Sequence, residues 1–136
     1  SRLGDMWYPT VIDGVNLLID KAAIVAKYGA ESKDNALLNI HYQTVDGQII
    51  VDGKPYLPPK EWERQTNDKL PETITFASGT DFDFFMLGEY PITEPIADDG
   101  YIDGFYNYVN DEYDFVFAVT SVAKYTAIPH FEITGK

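Results

Sequence analysis

The chain has 136 residues, 45% hydrophobic and 15% aromatic, enough for one domain with a buried core. It has no cysteine, which excludes disulfides and thiolate metal sites. Its formal net charge of −12 repels phosphate backbones and anionic lipid, and points away from nucleic acid and membranes toward basic proteins, cations or neutral surfaces.

The charge is uneven. No Lys or Arg lies between Lys69 and Lys124, a span that holds eleven acids. The longest apolar run, Phe115 to Val119, is far too short for a membrane span. The first ten residues have no apolar core of the signal-peptide kind.

Residues 1–10 read as an arm. Met6, Trp7 and Tyr8 want cover, and Pro9 ends any regular element. Residues 11–16 predict a short strand with an Asp13-Gly14 turn. Residues 17–28 are ambiguous: Asp20 caps a short helix whose body is residues 21–28, with Gly29 at its C′ position, and a buried strand is the competing reading. Residues 31–35 form a loop. Residues 36–45 alternate as a strand, with Leu38, Ile40, Tyr42 and Thr44 on one face. Asp46-Gly47 predicts a type I′ turn, and residues 48–51 return as the partner strand. Asp52-Gly53 predicts a second turn, followed by an extended stretch forced by Pro58 and Pro59.

Residues 59–68 predict a short helix, with proline in its first turn and Trp62 as its one apolar anchor. Residues 72–78 and 81–87 predict strands, and residues 88–96 a proline-broken loop. Residues 98–122 read as a hairpin. Tyr101, Asp103, Phe105, Asn107 and Val109 fall on one face of its first strand, with Ile102, Gly104, Tyr106 and Tyr108 on the other. Residues 110–112 are its loop. The second strand, residues 113–122, is apolar on both faces, the mark of a central strand. Residues 123–133 supply a last strand, interrupted at Pro129. The expected fold is therefore mainly β, a β-rich α+β domain over residues 1–136. It consists of an antiparallel sandwich or barrel-like sheet of about seven or eight strands with one or two short helices.

The chemistry-bearing residues are few. His41 and His130 have no nucleophile beside them in sequence, so both read as surface or packing residues. Asp81-x-Asp83 and Asp98-Asp99-x-x-x-Asp103 group oxygen ligands without the EF-hand order. No catalytic residue, metal ligand or cofactor is assigned. The remaining signal is tyrosine among acids. The candidate binding residues are Trp7 and Tyr8 on the arm, with Asp99, Tyr101, Asp103, Tyr106, Tyr108, Asp111 and Glu112 on the hairpin. The expectation is a non-enzymatic structural or protein–protein interaction module, with a phage or virion assembly subunit as the concrete case and protein partners or further copies of itself as ligands. The alternatives are a carbohydrate-binding module and an acidic inhibitor or immunity protein that fills a basic cleft.

Overall fold

The computed structural model describes residues 1–19, 36–79 and 82–136. The strands are β1 (Arg2–Leu3), β2 (Met6–Trp7), β3 (Asn16–Ile19), β4 (Ala36–His41), β5 (Gln43–Val45), β6 (Gln48–Val51), β7 (Lys54–Pro55), β8 (Phe84–Met86), β9 (Ile96–Ala97), β10 (Val116–Tyr125) and β11 (His130–Gly135). Among the described residues the α-helices are α1 (Pro59–Glu63) and α2 (Phe105–Glu112). Among the described residues the strands form three antiparallel sheets, ordered β1-β2-β9, β3-β4-β11-β10-β8 and β5-β6-β7. The fold is the β-rich α+β class that the alternating segments predict.

The five-stranded sheet separates two cores. Val116, Phe117 and Ala118 of β10 pair with Met86, Phe85 and Phe84 of β8. Successive side chains point to opposite faces. Val116, Phe84 and Met86 therefore join Trp7, Ile96, Phe105 and Val109. Phe85 and Val119 join Leu38, Ile40, Val51, Phe76, Phe131 and Ile133. Phe117 is fully buried beside Phe85, ring centroids 5.5 Å apart. Both faces of β10 are covered up to Val119, as the apolar run predicts. The register then shifts between Val119 and Ser121, and the strand runs out into solvent.

Several local expectations hold. Asp46 and Gly47 take φ of 51° and 80°, the left-handed pair that a type I′ turn needs, and join Val45 to Gln48. Asp52 and Gly53 do the same between β6 and β7. Helix α1 starts at Pro59, and its one buried residue, Trp62, meets Tyr8 edge-on at 5.6 Å.

Others do not. Residues 11–15 form no strand; β3 starts at Asn16 and ends at Ile19, before the Asp20 cap of the expected helix. That helix, the 31–35 loop and Asp81 lie outside the described residues. Residues 72–78 make only an isolated bridge, Ile74 to Tyr56. Ile74, Thr75 and Phe76 are nonetheless all buried, a covered stretch rather than the strand expected.

The N-terminal arm is not an arm. Trp7 is 3% and Tyr8 9% exposed. The β1–β2 hairpin pairs through β2 with β9, and Trp7 packs 5.0 Å from Phe84 and 6.2 Å from Phe105. Three large side chains in a row carry too much apolar surface to leave in water. Among the described residues no helix is long and apolar enough to cross a membrane.

Candidate functional site

The expected hairpin over residues 98–122 is instead a one-turn 3-10 helix (Asp98–Gly100), a tight turn, helix α2 and strand β10. Phe105 and Val109 are four residues apart, so they share a face in a strand and in a helix alike. Asn107 separates the two readings. A strand would place it between Phe105 and Val109 on the buried face, whereas the helix turns it away from them. Its side-chain amide donates to the Asp103 carbonyl at 2.7 Å.

Asp98 holds the start of the helix. Its Oδ1 accepts the Phe105 amide N–H at 2.8 Å and the Trp7 indole N–H at 2.9 Å. The Arg2 guanidinium lies 3.4 Å from its Oδ2 and also sits over the Trp7 ring. These donors, the indole first, hold the Asp98 carboxyl below the usual aspartate range. Gly104, with φ of 88°, supplies the left-handed backbone that turns the chain into the helix. A Cβ at that position would come within 3.3 Å of the Asp98 carboxylate.

The turn before the helix is closed by the Gly104 N–H donating to the Tyr101 carbonyl at 3.1 Å. Ile102 and Asp103 are its corner residues, and Ile102 is fully exposed. Behind it lies a cavity of about 310 Å³ lined by Gly100, Tyr101, Ile102, Asp103, Gly104, Tyr108 and Asp111. Gly104, Tyr108 and Asp111 are spaced i, i+4, i+7, one stripe of α2. The tight turn forms the other wall. The Tyr101 and Tyr108 rings are 4.8 Å apart with planes inclined by 40°.

Tyr101 is braced from behind. It packs on Phe105 at 5.1 Å, and Phe105 packs on Tyr90 at 5.4 Å. Burial and a hydrogen bond to Tyr101 push the Tyr90 hydroxyl up to about 12. Tyr90 also meets Tyr113 at 5.9 Å. The Phe115 carbonyl accepts the Leu87 N–H, and both of those side chains are exposed. An aromatic ridge thus runs from Tyr108 through Tyr101, Phe105 and Tyr90 to Tyr113.

Of the candidate residues, the fold gathers Tyr101, Asp103, Tyr108 and Asp111 around one cavity. Asp99 and Glu112 are exposed and border the same turn and helix in sequence. Tyr106 is removed from the site. Two helical residues amount to about 200° of rotation, so Tyr106 faces away from Tyr108 and packs on Phe82 and Phe84 at 5.0 and 5.1 Å. Burial pushes its hydroxyl up. Trp7 and Tyr8 are removed by burial. The sequence reading missed Ile102 and Tyr90. The available signal was Gly100-Tyr-Ile-Asp-Gly104, two glycines bracketing a turn too short to bury its isoleucine.

A second cavity of about 300 Å³ lies among Arg2, Lys60, Trp62, Thr75 and Asp83. Trp62 Nε1, Thr75 Oγ1 and Asp83 Oδ1 have no hydrogen-bond partner among the described residues. Burial raises the Asp83 carboxyl above its usual range. Among the described residues no three His, Asp or Glu side chains come together as metal ligands. His41 and His130 are cross-strand partners on β4 and β11, with rings 6.2 Å apart.

A model of a family of unknown function, DUF6751, matches residues 1–136. No curated protein and no solved structure matches the chain.

Proposed function

We propose a non-enzymatic protein-binding role for this chain, which belongs to the DUF6751 family over its whole length. The observation that carries the reading is Ile102, a fully exposed β-branched side chain at the corner of a braced turn. Tyr108, Tyr113 and Phe115 are also exposed nearby along the chain, and Asp99, Asp103, Asp111 and Glu112 flank them. A rigid apolar contact with a polar surround is the anatomy of a protein interface. Among the described residues those four acids form no ion pair, so the partner's matching surface is basic. A phage or virion assembly is the setting that the β-rich, cysteine-free, acidic character suits. The same unpaired acids favour, as a second reading, an inhibitor that occupies the basic cleft of another protein.

The test is a photo-crosslinking residue at position 102 in the native host, with light scattering of the purified complex. A single cross-linked partner or a second copy is expected, and Ile102→Asp is expected to weaken binding at least 10-fold, about 1.4 kcal/mol. A monodisperse protein with no cross-link from position 102 overturns the reading.

A further inference from the structure

We infer that the cavity lined by Tyr101, Tyr108, Asp103 and Asp111 is a socket for one lysine or arginine side chain of the partner. The inference rests on the protein-binding reading above and names what that surface recognises. Three features converge. Tyr101 and Tyr108 line the cavity as one packed aromatic pair, ring centroids 4.8 Å apart and planes inclined by 40°. Asp103 and Asp111 enter the same lining from opposite walls, one from the turn and one from α2. Gly100 and Gly104 are also in the lining and carry no side chains to fill it.

A cation gains from both features at once. Ring faces attract positive charge, and a carboxylate pairs with it. An anion would meet two carboxylates in a span without any Lys or Arg, and gains nothing. A neutral apolar side chain would leave both carboxylates beside a desolvated surface. Ile102 at the rim would cover the aliphatic stem of a lysine or arginine, which buries its methylenes while its charged head is held elsewhere. The backing is rigid. The Tyr90–Phe105 and Tyr101–Phe105 contacts back one ring, and the helix fixes the other.

The test uses Nα-acetyl-L-arginine amide as probe and Nα-acetyl-L-citrulline amide as its uncharged isostere, followed by NMR on the full chain. Arginine amide is expected to shift Ile102, Tyr101 and Tyr108 saturably, with a dissociation constant on the order of 1 mM. Citrulline amide is expected to shift none of them. Asp103→Asn with Asp111→Asn is expected to weaken arginine amide at least 10-fold, and Tyr108→Leu about as much. Unchanged Phe131 and Ile133 signals, from the other core, in the free variants show that the fold is kept. Equal binding of the two probes overturns the socket, as do arginine shifts confined to other residues. The cross-link at position 102 reports separately on the protein-binding surface. A cross-linked partner whose affinity is unchanged by Asp103→Asn, Asp111→Asn and Tyr108→Leu overturns the socket and leaves that reading standing.

Discussion

Asp98 ties three parts of the chain through one carboxylate. It caps the N-terminal turn of α2 at the Phe105 amide, pins Trp7 of β2 by the indole N–H, and pairs with Arg2 of β1. Asp98→Ala removes the cap and leaves the buried Trp7 indole without its acceptor. It is expected to cost about 1–3 kcal/mol, read from the urea midpoint at constant m-value. The pH dependence follows from the direction of the shift. A carboxyl held below its usual value adds stability that is fully present above the unfolded-state pKa, about 3.9. That stability is lost as pH falls through the lower folded-state value. Asp98→Asn should therefore flatten the acid limb of the stability curve while sparing much of the cap. An Asn variant as acid-sensitive as the parent would show that the charge of Asp98 is idle.

Among the elements, what the sequence disclosed depended on whether two periodicities gave different answers. The β4–β5–β6 region was readable because the strand period and the Asp46-Gly47 turn chemistry agree. Leu38, Ile40 and Tyr42 are buried as their alternation predicts. The segment around α2 was misread because Phe105 and Val109 fit both periods and tyrosines favour strands as well as interfaces. The arm was misread because no local rule says that β2 will find β9, ninety residues away. The same non-local packing explains Gly135. Nothing in the sequence around residue 135 calls for glycine. In the sheet, however, a Cβ there would lie 2.9 Å from Phe117 Cβ and 3.0 Å from the Phe85 ring. Gly135→Ala forces β11 away from the β10–β8 pair and is expected to cost about 1–3 kcal/mol. Thermal unfolding checks it, and a variant as stable as the parent would mean that the Phe85 ring yields freely.

At the scale of the whole molecule, the four acids near Ile102 sit in a chain of net charge −12, inside a span that has no positive residue to offset them. Like charges on a compact surface repel, and folding brings them closer than they lie in the unfolded chain. The repulsion reaches about 30 Å at 0.01 M salt and about 10 Å at 0.1 M. Sodium chloride should therefore raise the unfolding midpoint, by about 2–4 °C if screening relieves about 1 kcal/mol. The gain should shrink in the variant Asp99→Asn, Asp103→Asn, Asp111→Asn, Glu112→Gln, which removes four negative charges from this face. If the variant gains as much as the parent, the strain is spread over the molecule. The concentration of acids around Ile102 would then offer a partner no particular relief. If the gain falls, the face that repels itself most is the one a basic partner would neutralise. Partner affinity and fold stability would then respond to salt in opposite directions, for the same electrostatic reason.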